Sequence, residues 1–222
     1  MSGASASAAA DPYKLGHSQG GGTRQYSAEH GERRPASKRI IVGFGFWIFL
    51  LSDIVMFSAL FATYAVLQGA TAGGPTGQQV FHLDNVAIET ACLLASSFAC
   101  GMASIGAGRR NPVLFHGAMA VTFLLGAAFL ALEATEFAGM VAHGAAPERS
   151  AFLSAFFTLV GCHGLHVTVG LLWLLTMMAQ VWAKGFRADI LRRVLCFSLF
   201  WHALDIIWVG VFTVVYLMGV AT

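Results

Sequence analysis

After residue 39 the chain is built from five long apolar runs. They cover about Ile40–Leu67, Asn85–Ala107, Val113–Ala138, Ala151–Trp182 and Val194–Val220. At about 1.5 Å of rise per residue, each is long enough as a helix to cross a hydrocarbon core roughly 30 Å thick. The pattern predicts an all-α, polytopic membrane protein with five transmembrane helices. Four polar stretches join the runs: the glycine-rich loop GATAGGPTGQQVFHLD, the turn Gly108–Pro112, the loop AHGAAPERS, and a basic connection with Lys184, Arg187, Arg192 and Arg193. Residues 1–39 hold Ala, Ser, Gly and charges without an apolar run. They read as a flexible tail rather than a signal peptide. The expected organisation is therefore a tail over 1–39 and a transmembrane domain over 40–222.

The last run carries the sharpest contrast between apolar and polar positions. It contains LFWHALDIIWVGVFTVVYL (Leu199–Leu217), with His202 and Asp205 near the middle. At 100° per residue, Trp201, Asp205, Trp208 and Phe212 fall within roughly 60° of one another, with Tyr216 and His202 at the edge. The opposite face is Leu, Ile and Val. An ionised Asp at the bilayer centre costs about 2.5–3.5 kcal/mol on insertion scales. The polar face must therefore turn toward protein, water or lipid headgroups.

Composition supports the membrane reading. The 222 residues are 57% hydrophobic and 11% charged, with a mean hydropathy of +0.69, whereas a soluble domain carries about 25% charged residues. Charge placement says more than the net charge of +2. With five spans, every Lys and Arg except Arg149 falls on the N-terminal side. The positive-inside rule then puts the N terminus in the cytoplasm and the C terminus outside. The basic residues form short clusters between apolar runs, which excludes a nucleic-acid surface. Cys92, Cys100, Cys162 and Cys196 lie inside apolar runs, form no CxxC, and read as small buried hydrophobes.

Counting residues from the ends of each span places Asp53, His163, His166, His202 and Asp205 near the midplane. Glu89, Glu133 and Glu136 lie toward the external ends, and His116 toward the cytoplasmic end. Three readings of this layer stay open. Polar side chains can hydrogen-bond across helices and fix their register. They can form a proton path or ligand site. Glu133/Glu136 and His163/His166, both i,i+3 pairs, can also resemble part of a carboxylate-bridged di-metal site. Against the last, the depth count separates the two pairs by roughly 10 Å along the membrane normal. For haem, only the fourth span has two histidines, one turn apart. No Walker motif, dinucleotide-binding glycine pattern or nucleophile elbow is present. Gly161, Gly164 and Gly170, with Gly101 and Ala103, are expected to allow close helix approach. Trp47, Trp173 and Trp182 read as interfacial anchors or contact fillers.

Several ordered stretches resemble one known family. They are Ser52-Asp53 in the first run, IETACLLASS (Ile88–Ser97) in the second and LEATEF (Leu132–Phe137) in the third. The longest are ERSAFLSAFFTLVGCHGLHVTVGLLW (Glu148–Trp173) and SLFWHALDIIWVGVFTVVYLMG (Ser198–Gly219). Over everything after the tail the chain resembles subunit III of the haem–copper oxygen reductases, and is most similar to the cytochrome o ubiquinol oxidase branch. Five spans fit that branch, which resembles the seven-span form without its first two.

The resemblance implies a non-catalytic subunit, not an enzyme on its own. It implies no cofactor in this chain, with haem and copper in the partner catalytic subunit I, the other oxidase subunits as neighbours, and bound phospholipid in a cleft between helices. It implies a bacterial inner (plasma) membrane location, and a complex that oxidises ubiquinol, reduces oxygen to water and pumps protons. It carries Asp53, Glu136, His163, His166, Trp201, His202, Asp205 and Trp208 as buried polar or lipid-cleft positions. Asp205 is expected to interact with His202 or with a histidine of the fourth span. Two rivals remain: a stand-alone small transporter or proton channel, and a membrane metalloenzyme using Glu133, Glu136, His163 and His166.

Overall fold

A computed structural model of the chain describes residues 38–74 and 83–221, with side chains over 40–74 and 83–219. The tail expected over 1–39 lies outside the described residues except for Lys38 and Arg39, which begin the first helix. The helices are α1 (Lys38–Leu67), α2 (Leu83–Gly108), α3 (Pro112–Ala142), α4 (Ala151–Lys184) and α5, which starts at Ala188. A 3₁₀ turn, Pro147–Arg149, precedes α4. After Val211, α5 widens into a π-helical segment, Phe212–Leu217, and ends in the turn Met218–Ala221. Five helices among the described residues are long and apolar enough to cross a membrane.

Local chemistry sets the turns. The Asn111 side chain accepts from the backbone N–H of Val113 at 3.1 Å and of Leu114 at 3.2 Å, while Pro112 opens α3 where no N–H is needed. Ser150 caps α4 by accepting from Leu153 N–H at 3.2 Å. Gly185 closes α4 at a φ of +68°, a region that favours glycine. Two boundaries differ from the apolar pattern. α3 continues to Ala142 rather than Ala138, and α5 begins at Ala188 rather than Val194. Arg192 and Arg193, read above as part of a connection, therefore lie within α5. At the start of α5, Asp189, Arg192 and Arg193 hide the helical turns from a pattern that follows apolarity alone.

α2 and α3 pack along each other most extensively; α5 packs on α2 and α4, α3 on α4, and α1 on α4 and α5. Contacts define the two ends. At one end Phe115 meets Phe186, with ring centroids 5.6 Å apart, and His116 Nε2 lies 3.4 Å from the Met178 carbonyl oxygen. At the other, Tyr64 O–H donates to the Val215 carbonyl at 3.3 Å and Phe152 N–H to the Ala70 carbonyl at 3.3 Å. The first end carries Arg109, Arg110, Lys184 and Arg187; the second carries Arg149. α1 is peripheral: 11% of its most apolar stretch is buried, against 50% for α5. Phe44, Ile48, Val55 and Val66 on α1 are exposed. A surface this apolar is stable only against lipid or protein.

Candidate functional site

The polar face of α5 turns toward α2. Trp201 Nε1 donates to Ser96 Oγ at 3.0 Å, and Trp208 Nε1 donates to Thr90 Oγ1 at 3.0 Å. Both indoles are buried. The two tryptophans are seven positions apart, so they lie on one face of α5 and meet two acceptors nearly two turns apart on α2. Each acceptor is already held by its own helix: Ser96 Oγ donates to Leu93 O at 2.7 Å, and Thr90 Oγ1 to Val86 O at 2.8 Å. Thr122 of α3 adds a longer bond to Ser96 O, at 3.4 Å. α2 thus receives two bonds from α5 and one from α3.

Trp201 has space because two neighbouring helices lack side chains there. A methyl added at Gly126 of α3 would come within 3.0 Å of Trp201 Cη2. One added at Gly170 of α4 would come within 3.0 Å of Trp201 Cζ3. The indole is a wedge fitted between two glycines and tied to α2 by its N–H.

His163 of α4 is fully buried, with Nε2 3.2 Å from the Leu204 carbonyl oxygen of α5. Its ring lies 5.0 Å from that of Trp208 and 5.7 Å from that of Phe129. One turn on, His166 Nδ1 donates to Cys162 O at 2.7 Å, and its ring lies 5.2 Å from Phe57 of α1. Asp53 of α1 is half-buried and close enough to His166 to interact electrostatically. Asp53 and His166 therefore meet at the α1–α4 seam, whereas His163 belongs to the α4–α5 seam.

Toward the Arg149 end, Glu89 of α2 and Glu133 and Glu136 of α3 form an acidic cluster with Tyr216 of α5. Among the described residues, both carboxyl oxygens of Glu89 and Glu136, and Oε2 of Glu133, are buried without a hydrogen bond. A methyl at Gly164 would lie 2.8 Å from Glu133 Oε1, so this carboxyl group rests on the α4 backbone beside His163. The π-helical turn helps to assemble the group. Its i→i+5 bonding turns less per residue than an α-helix, so Tyr216 comes under Trp208, with ring centroids 6.3 Å apart. Among the described residues, no three His, Cys, Asp or Glu side chains form a grouping that could hold a metal ion.

Comparison with known proteins agrees with this architecture. Residues 25–220 match the family described as cytochrome c oxidase subunit III. The chain belongs to that family. It is 55% identical over 176 residues to cytochrome bo(3) ubiquinol oxidase subunit 3 of Pseudomonas aeruginosa, covering 79% of this chain and 84% of the relative. The Pseudomonas putida protein of the same name is 53% identical over 178 residues, covering 79% and 85%. That of Buchnera aphidicola from Schizaphis graminum is 43% identical over 177 residues, covering 80% and 94%.

In this subunit III chain the polar positions singled out from sequence separate into three groups. Trp201, Trp208 and His163 are buried and bonded across helices. Asp53, His166 and His202 are half-buried. Glu136 is half-buried, but its carboxyl oxygens lie in the acidic cluster. Asp205 lies near His202, the first of the two partners expected for it. His202 and Ser97 of α2 are the groups that act on its carboxyl, and no histidine of α4 does. Among the described residues, neither Asp205 Oδ1 nor Ser97 Oγ completes a hydrogen bond of ordinary geometry.

Two expectations need correction. The Glu133 carboxyl reaches α4 at Gly164, one residue from His163, which is closer than the depth count of roughly 10 Å implied. Gly101 has no close neighbour, while Gly126, unremarked in the sequence, has a tight one. Trp173 fills a contact among Phe46, Phe197 and Phe200, and Trp182 is exposed beside His116.

Proposed function

We propose that this chain is subunit III of a cytochrome bo(3)-type ubiquinol oxidase in a bacterial plasma membrane. The N terminus faces the cytoplasm, in keeping with the basic end of the bundle. The chain is non-catalytic: haem and copper are held by the partner catalytic subunit, which oxidises ubiquinol, reduces oxygen and pumps protons. This subunit packs beside that partner, binds phospholipid and supports proton uptake. The observation that carries the role is the use made of its mid-membrane donors: the Trp201 and Trp208 N–H groups and the His163 ring nitrogen all contact oxygens of neighbouring helices. They tie α2, α4 and α5 together. The largely exposed α1 offers an apolar flank for lipid or a neighbouring subunit.

The test is purification through a tag on this chain in mild detergent. Subunits that accompany it are identified by mass spectrometry, and the visible spectrum is recorded before and after the chain is stripped away. The expected result is haem that stays with a large partner while this chain emerges colourless. Purification of the chain alone from cells with a full respiratory chain would contradict the assignment, as would haem or stoichiometric metal that stays with it. Ion movement by the isolated chain in liposomes would favour a stand-alone channel.

A further inference from the structure

The acidic cluster toward the Arg149 end lacks hydrogen-bond donors. Glu133 and Glu136 stand about one turn apart on α3, and Glu89 of α2 is close enough to both to act on them electrostatically. Glu89 is fully buried and Glu133 nearly so. Both oxygens of Glu89 receive no hydrogen bond among the described residues, although the side chain is shut away from bulk water.

The elements packed around the cluster bring no cation to it. α5 supplies Tyr216, which lies close enough to interact with all three glutamates. Tyr64 of α1, behind Tyr216, donates to Val215 O. α4 supplies the bare backbone of Gly164 beneath Glu133, and next to it His163. His163 Nε2 is taken up by the Leu204 carbonyl oxygen, and its Nδ1 meets no acceptor among the described residues. That pattern fits a neutral ring with its proton on Nε2. No Lys or Arg among the described residues acts on any of the three carboxyls.

A carboxylate offers only acceptors, whereas a protonated carboxyl carries one O–H donor. Three ionised carboxyls here would set acceptor against acceptor and like charge against like charge. Carboxyls that share a buried site keep protons for this reason. Buried polar atoms that no protein donor reaches are met by ordered water.

We propose that Glu89, Glu133 and Glu136 form one site that binds water and protons, with at most one carboxyl ionised and the others donating O–H to it directly or through the bound water. A proton crosses the site when one acid gives its O–H proton to a water and that water gives another to the carboxylate; the negative charge passes back to the first glutamate. Glu136, half-buried where Glu89 and Glu133 are enclosed, is the member through which the site exchanges protons with its surroundings. The inference goes beyond the oxidase assignment, because it needs only the interior of this chain.

The test uses the tagged complex at neutral pH. Protonated carboxyls are read from their infrared C=O stretch, as the difference between wild type and variant, in water and after long exchange into deuterium oxide. The combined variant Glu89→Gln, Glu133→Gln and Glu136→Gln should lose the absorbance of about two protonated carboxyls per chain. The lost band should shift in deuterium oxide. Glu148→Gln, in the exposed turn before α4, should lose none. A cryo-EM map of the wild-type complex gives a second reading that needs no variant: ordered water is expected within about 3 Å of the carboxyl oxygens. Unchanged C=O absorbance in the combined variant overturns the proposal. So does a map in which the site is dry, or in which a cation or a side chain of another subunit meets these oxygens. Absence of accompanying subunits from the wild-type preparation would instead count against the oxidase assignment, while the infrared difference on this chain still decides the proton site.

Discussion

Two sets of buried polar groups in this bundle are handled in opposite ways. Around Trp201, Trp208 and His163, each polar ring atom that bonds reaches an oxygen on another helix at 3.0–3.2 Å. Around Glu89, Glu133 and Glu136, three carboxyl groups lie together, with five buried oxygens that receive no hydrogen bond among the described residues. The first set matches a donor to an acceptor and adds aromatic packing. The second gathers carboxyl groups beside one another. Burial alone therefore does not show which residues hold the helices together; the pairing of donor and acceptor does.

The largest effect is expected at the tryptophan wedge. Trp201→Ala removes an indole between Gly126 and Gly170 and should cost about 3–5 kcal/mol, read as earlier loss of this chain from the complex on heating. Gly126→Val would test the same wedge from the other side. It forces a side chain to within about 3.0 Å of the indole and should cost about 1–3 kcal/mol. Next comes Ser96→Ala, which leaves the Trp201 N–H buried without its acceptor, at about 1–3 kcal/mol.

The acidic cluster should answer differently. Glu89→Gln supplies N–H donors to the neighbouring carboxyl oxygens, so heat or detergent resistance should be unchanged or raised by up to about 1 kcal/mol. A loss as large as that of Ser96→Ala would remove the contrast between the two sets. The smallest effect is expected at Asp205. It is half-buried and completes no bond through Oδ1, so Asp205→Ala should cost about 1 kcal/mol or less, with the haem spectrum of the complex unchanged.

Much of the fold was legible because apolar length is a strong signal. The five helices lie within a few residues of the runs, apart from the start of α5 and the end of α3. That α5 carries one polar face also followed from angular position, but that this face meets α2 did not: the sequence left it turned toward protein, water or lipid headgroups. Its acceptors were not legible. Ser96 and Thr90 bond to their own helix as hydroxyls in helices commonly do, and nothing in their spacing marks them as partners of a tryptophan. Gly126 was equally silent, because a lone glycine in an apolar run becomes informative only beside the ring it admits. The acidic cluster was half legible: depth put the three glutamates toward one end, but side-chain reach brought Glu133 to Gly164 and a π-helical turn brought Tyr216 to the group.

The most direct test of the account is a double-mutant cycle between Trp201→Phe and Ser96→Ala in the assembled complex. Release of this chain on heating would be followed together with the visible haem spectrum. The account predicts a coupling of about 1 kcal/mol between the two changes and an unaltered spectrum in all four proteins, because the bond joins helices of a subunit proposed to leave haem and copper to its partner. Strictly additive effects would contradict the structural tie. A bleached or shifted spectrum in a complex that still contains this chain would contradict its non-catalytic role.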